Sequence, residues 1–254
     1  RWSLQTTAEG SFGRSDLRRE GSPQGVASKD DNQFARLALD FSHRLSSIFT
    51  LYLGAEASHV SVDSRVTNRT GVTTLREWNI EGYASLRFRL ERLSGYAGLR
   101  IAGEDRKGSL GVGQGEFFRS GSEPLTFASL RYTPARHHQI ALTHSSSYTR
   151  PSYRDLLGYT TSASALLARQ GNTYLKTSYR RSVTLGYSYL QAAQLELSHV
   201  DTEAPIVEAL TIDHGRYILR RHNLDYSRYL RALLVLPIPL IRQGELSWTA
   251  STYL

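Results

Sequence analysis

Cysteine is absent from these 254 residues, and so is methionine. Without cysteine there is no disulfide framework and no thiolate metal site. No run of about 18 apolar residues occurs, which excludes a transmembrane helix, and no secretory signal is present in the sequence. The apolar stretch from Leu233 to Ile241, bounded by Arg231 and Arg242, is too short to span as a helix, and Pro237 and Pro239 interrupt any regular ladder there. The chain opens Arg1-Trp2-Ser3 with no initiator, so the expectation is a fragment or a processed product. Long helical periodicity is also missing. Hydrophobic residues make up 40% of the chain, low for a globular protein. That deficit does not argue against a membrane barrel, where only alternate residues of each strand meet lipid.

Compact chemical motifs are equally scarce. His137 and His138 are adjacent, and neighbouring residues on a strand point to opposite faces, so they do not chelate one ion together. His43, His59, His144 and His199 sit singly near strand ends or on apolar faces. Gly111, Gly113 and Gly115 lack the strand-then-helix setting of a phosphate loop. Asn68-Arg69-Thr70 fits a glycosylation sequon, a three-residue match that carries little meaning by itself. Glu56, Glu81 and Glu104 lie on polar faces beside Arg87 and Arg100, a mixture that suits lumen ion pairs better than a catalytic dyad. The sequence therefore predicts no catalytic residue, no metal site, no cofactor and no enzyme. The net charge of +8 invites a nucleic-acid reading, but the arginines are dispersed, with pairs only at 18–19, 180–181 and 220–221. No nucleic-acid partner is expected. Arginines facing a barrel lumen, or meeting acidic outer-leaflet lipid, account for the same charge.

What is abundant is tyrosine, 15 residues against 8 phenylalanines, with 20 glycines. Apolar and polar residues alternate with period two along much of the chain, which reads as all-β. Trp2, Leu4, Thr6 and Ala8 begin the pattern. Leu37, Leu39 and Phe41 oppose Arg36, Asp40 and Ser42. Ile80, Gly82, Ala84, Leu86 and Phe88 oppose Glu81, Tyr83 and Arg87. Val183, Leu185, Tyr187 and Tyr189 oppose Ser182, Thr184, Gly186 and Ser188. Long polar stretches, read as loops at 10–33, 63–76, 104–124, 149–178 and 208–215, alternate with tight turns near 43–47, 91–94, 133–137, 190–193 and 237–244. About eleven strands result, including one long return strand within 216–236. Alternating connection length is expected of an outer-membrane barrel, with long loops at one rim and short turns at the other. The tyrosines suit its aromatic girdles. The predicted fold is an antiparallel up-and-down transmembrane β-barrel, partial, in one domain over 1–254, with long extracellular loops and short periplasmic turns.

One stretch organises the rest. It reads Arg150-Pro151-Ser152-Tyr153-Arg154-Asp155-Leu156, then Gly171-Asn172 and Leu175-Lys176. This resembles the R-P-x-Y-x-x-L and G-N-P-x-L-K-P signature of TonB-dependent outer-membrane receptors of the Bacteroidetes type, with Thr173 and Thr177 where that family has proline. Tyr83 and Gly98-Leu99-Arg100, followed by Ala102-Gly103-Glu104, look like two further strands of the family. The resemblance implies a Gram-negative outer-membrane location, a plug domain filling a barrel of about 22 strands, and a TonB-type energy-coupling protein as partner. It also implies a small-molecule, siderophore or glycan substrate. Neither plug nor coupling box is read in these residues, so the chain is expected to be near half of a wall. The motif residues Arg150, Pro151, Tyr153, Leu156, Gly171, Asn172, Leu175 and Lys176 are the candidate site, structural first and ligand-contacting second. The segment is expected to fold over the lumen or rim, with Tyr148, Tyr153, Tyr159 and Tyr174 in need of packing partners. A small non-transport barrel or adhesin, and a soluble carbohydrate-binding β-sandwich, are the alternative readings.

Overall fold

A computed structural model describes residues 2–18, 27–66, 72–110, 116–156, 160–162, 166–190, 192–213, 215–237 and 247–253. Eleven strands form one antiparallel sheet. They are β1 (Trp2–Arg18), β2 (Ala27–Arg44), β3 (Phe49–Val66), β4 (Val72–Arg89), β5 (Leu93–Leu110), β6 (Glu116–Ala135), β7 (His138–Thr149), β10 (Ser178–Tyr189), β11 (Ala193–Glu203), β14 (Tyr226–Pro237) and β15 (Ser247–Tyr253). Each pairs with the strand beside it in sequence, except where two excursions intervene. The first excursion holds a one-turn helix, α1 (Tyr153–Leu156), then β8 (Thr160–Ser162) and β9 (Leu167–Gln170). The second holds β12 (Ile206–Asp213) and β13 (Arg216–Asn223). Together these short strands build a separate sheet in the order β12-β13-β9-β8. One continuous wall rather than two stacked sheets rules out the sandwich reading.

The register explains why the wall holds in a membrane. Side chains alternate between faces, so residues paired across neighbouring strands share a face. One cross-strand row runs Phe49, Phe88, Gly95, Leu130, Leu142, Leu185, Leu197, Ala232 without a polar residue. The next runs Tyr132, Ile140, Tyr187, Leu195, Leu234. Leu37, Leu39, Leu86, Val183 and Leu185 are exposed on this face although apolar. In water such a surface would far exceed what a monomer leaves uncovered; in lipid it is the required surface. The opposite face carries Arg36, Asp40, Glu56, Glu81, Arg87 and Arg100 in matching rows. On β4, Trp78 and Phe88 lie on the apolar face ten residues apart, about 33 Å along a strand. At a tilt of about 40° this spans about 25 Å of membrane normal, the height of a barrel's apolar band. Lipid-quenching along Ile80 to Leu90 is expected to rise and fall with period two, strongest at Leu86 and Phe88; quenching without that period would remove the wall from the membrane.

Polar-face contacts bind neighbouring strands together. Arg36 donates to both carboxylate oxygens of Glu56, at 2.8 and 2.9 Å. The Tyr83 hydroxyl donates to Asp40 at 2.5 Å, reaching from β4 over β3 to β2. It passes over Gly54, where a Cβ would stand 2.1 Å from the Tyr83 ring. Only glycine leaves that passage open.

In three stretches expected to be loops, the described residues are instead strand. β1 and β2 stay paired from Trp2↔His43 to Arg18↔Ala27, β3 and β4 to Arg65↔Val72, and β5 and β6 to Ser109↔Glu116. These extensions lack apolar alternation because they stand beyond the lipid band, where both faces meet water. The expected loop at 208–215 is the β12–β13 hairpin, and the expected long return strand divides into β13 and β14, which belong to different sheets. The expected turn at 237–244 lies, apart from Pro237, outside the described residues, as does Tyr159.

Candidate functional site at the long-connection rim

Both excursions leave the wall at the same rim, after Thr149 and after Glu203, and return at Ser178 and Tyr226. Their geometry begins with a break in the wall. β6 and β7 pair from Ala135↔His138 only as far as Phe127↔Ser145, while β6 continues along β5 to Glu116. Past that point the β7–β10 hairpin parts from β6 and turns toward the polar face. The Ser146 hydroxyl marks the parting, accepting from Thr126 N at 2.6 Å and donating to Thr126 O at 2.9 Å. By simple alternation Tyr148 and Tyr179 belong with the lipid-facing Leu142 and Val183. The turn brings them inward instead: Tyr148 donates to Glu81 on β4 at 2.7 Å, and Tyr179 faces Glu123 on β6.

Arg150 follows directly. Its Nε lies 2.7 Å from Glu104 Oε2 on β5, its Nη1 donates to Asn79 Oδ1 on β4, and its guanidinium stacks 4.3 Å from the Tyr148 ring. The Arg150 and Glu104 side chains are 14% and 8% exposed. Pro151 is fully buried, and its carbonyl accepts from Arg106 Nη1 at 2.9 Å. Arg106 in turn pairs with Glu77 at 2.8 Å. The start of the signature is thus clasped to the inner face of β4 and β5.

The remainder closes on itself. Ser152 and Asp155 exchange backbone and side-chain hydrogen bonds in a capping box, which accounts for the single turn of α1. Asp155, buried, also receives Arg221 from β13 at 2.8 Å, and Arg169 from β9 bridges to Glu208 of β12 at 3.0 Å. Asn172 N donates to Asp155 O at 2.6 Å, and its side-chain amide donates to Arg221 O at 3.0 Å. Leu156, Ala168, Leu175 and Pro151 are each buried, the apolar residues that the cap withdraws from solvent. The Leu175 carbonyl accepts from Arg119 of β6 at 2.6 Å. Lys176 is held through its backbone to Asn223, whose amide also donates to Ala204 O at 2.7 Å.

The structure therefore brings Arg150, Pro151, Leu156, Asn172, Leu175 and Lys176 into one cap. Tyr153 opens α1, and Gly171 follows β9. Sequence reasoning missed Asn79, Arg106, Arg119, Asp155, Arg221 and Asn223, the partners that anchor the motif. Only Glu104, a carboxylate on a polar strand face, and the Arg220-Arg221 pair gave a signal. Tyr174, expected to need a packing partner, is 84% exposed. The expected Arg87 pairing with a carboxylate does not form; its guanidinium stands 5.1 Å from the Tyr52 ring. Glu56, Glu81 and Glu104 each face an arginine, Arg36, Arg100 and Arg150, as ion pairs rather than as an acid–base couple. No group of three or more metal-ligating side chains occurs among the described residues.

Comparison with solved structures places this architecture. The copper transporter OprC superposes with a TM-score of 0.74 at 14% identity, over 98% of this chain and 43% of that one. The ferric-catecholate import receptor Fiu from E. coli K12 gives a TM-score of 0.60 at 11% identity, over 99% and 45%. The alcaligin outer-membrane receptor FauA from Bordetella pertussis gives 0.58 at 13%, over 99% and 43%. This chain spans less than half the length of each. No curated protein matches the sequence. Residues 8–254 match the outer membrane protein beta-barrel family, so the chain belongs to that family: it is a partial transmembrane β-barrel of the Gram-negative outer membrane, with the fold of TonB-dependent receptor walls.

Proposed function

We propose that this chain is the barrel segment of a TonB-dependent receptor that takes up a metal chelate, cofactor or glycan with energy from an inner-membrane coupling protein, and that a plug domain of the whole protein fills the lumen. The observation that carries this reading is the cap. A wall that served only as a scaffold has no need of a second sheet folded inward from two rim connections and clasped across β4 and β5 through Arg150 and Arg106. A receptor needs such a vestibule, because loops on a rigid wall are where ligand contacts are made. On this reading the long-connection rim faces the cell exterior and the short turns the periplasm. The motif residues hold the cap in place, and ligand contact falls to the exposed surface of β12, β13 and the segment around Tyr174.

The test uses cells with the complete gene and cells from which it is deleted. Each is offered isotopically labelled metal chelates, corrinoids and oligosaccharides, with and without an uncoupler. One class is expected to accumulate several-fold less in the deletion strain and to the same low level when uncoupled. Equal accumulation of all three classes in both strains would reject the uptake reading.

A further inference from the structure

A second feature lies on the opposite, lipid-facing side of the wall. One cross-strand row on that face runs Phe12, Gln33, Ser61, Arg76, Lys107, Phe118 across β1 to β6. Arg76 and Lys107 stand directly opposite one another. Like charges so placed repel across a strand pair. On the inner face Arg36, Arg100, Arg106 and Arg150 each have a carboxylate within 4 Å, while Arg87 lies over the Tyr52 ring. Arg76 and Lys107 have none among the described residues. The polar contact of Arg76 is Ser61 Oγ, at 3.0 Å, and the Lys107 ammonium lies 5.3 Å from the Phe118 ring. The two carboxylates nearest in register on this face, Asp63 and Asp105, occupy the rows above and below and pair with neither cation. Both cations are exposed.

Their height is as telling as their pairing. Arg76 is one row beyond Trp78, which is 53% exposed and lies tilted against His59 with ring centroids 4.3 Å apart. Ten residues below Trp78 on the same face is Phe88. Trp78 thus marks the upper edge of the apolar band, and Arg76 and Lys107 come next, about 5 Å higher along the membrane normal for two strand residues at the same tilt. That is the headgroup layer, where a cation on a barrel's outer face costs little and gains an anionic partner.

From this pairing, exposure and height we infer that Arg76 and Lys107 form a binding site for a phosphate group of an outer-leaflet glycolipid, the guanidinium and ammonium sharing one phosphate while Trp78 and Ile80 below contact the acyl chains. The phosphate removes the repulsion between the cations and accepts charge-assisted hydrogen bonds from both. The assignment of leaflet rests on the reading that the long-connection rim faces outward.

The test uses the full-length protein purified in detergent. Binding of bisphosphorylated lipid A is measured by native mass spectrometry and by titration, with dephosphorylated lipid A and inorganic phosphate as comparison ligands. The double variant Arg76→Gln, Lys107→Gln is expected to bind bisphosphorylated lipid A at least 10-fold more weakly and the dephosphorylated form as wild type does. Arg76→Lys with Lys107→Arg keeps most of the affinity, which separates a lost site from a misfolded wall, and Arg89→Gln at the short-turn rim changes nothing. Undiminished binding by the double variant would overturn the site. So would complete displacement of lipid A by millimolar inorganic phosphate, which would mark a site for the free ion. The leaflet is read separately: a cysteine placed at Lys107 in whole cells is expected to react with a membrane-impermeant maleimide. If it reacts only from the periplasm, the rim assignment fails while a phosphate-lipid site revealed by the binding arm stands in the other leaflet.

Discussion

Arg150→Ala in the whole protein is expected to lower the yield of assembled barrel far more than the affinity of assembled barrel for its substrate. Removing the guanidinium leaves Glu104 charged and nearly buried, with the Asn79 amide oxygen and the Tyr148 ring facing a gap. Breaking such a pair by deleting one partner costs about 3–5 kcal/mol. The lower end applies here because the clasp borders a water-filled lumen. The heat-modifiable gel form and the denaturant midpoint measure the loss. Adding Glu104→Ala to the same chain should restore part of it, because the uncompensated carboxylate is then gone. Normal assembly of Arg150→Ala with selectively lost uptake would make the motif a ligand site instead.

Val183→Arg is the second large effect, and its neighbour supplies the control. Val183 stands on the lipid face of β10, between His144 and His199, and Thr184 on the lumen face. An arginine on the lipid face costs about 2–4 kcal/mol at the membrane midplane and less toward the interfaces. Thr184→Arg loses only the 3.0 Å hydroxyl contact with Ser198, about 1 kcal/mol, and places its charge among Arg231 and Glu196 in the lumen. Folding into vesicles at increasing urea should separate the two variants clearly. Equal destabilisation would mean that the two faces do not differ in solvent, and the barrel topology assigned to this strand would be wrong.

The sequence by itself determined the wall. Period-two alternation at Leu37–Phe41, Ile80–Phe88 and Val183–Tyr189 states which side meets lipid, because charged residues are costly on a hydrocarbon surface and apolar residues predominate there. The alternation of long and short connections states that the strands run up and down. The number of wall strands and the short turns near 45–48, 90–92, 136–137 and 190–192 were legible for the same reason. Beyond the lipid band that constraint ends. Water accepts polar residues on both faces, so the paired extensions of β1 to β6 carry no pattern and read as loops. Tertiary structure alone decided the inward turn of Tyr148 and Tyr179. Their parity assigns them to lipid, and only the parting of β7 from β6 beyond Ser145 turns them toward Glu81 and Glu123. It also decided the cap. Arg150 and Glu104 are 46 residues apart in sequence, and Asp155 and Arg221 are 66 apart. No local spacing links such partners; they meet because two excursions from one rim share a single sheet, in which β9 and β13 run parallel.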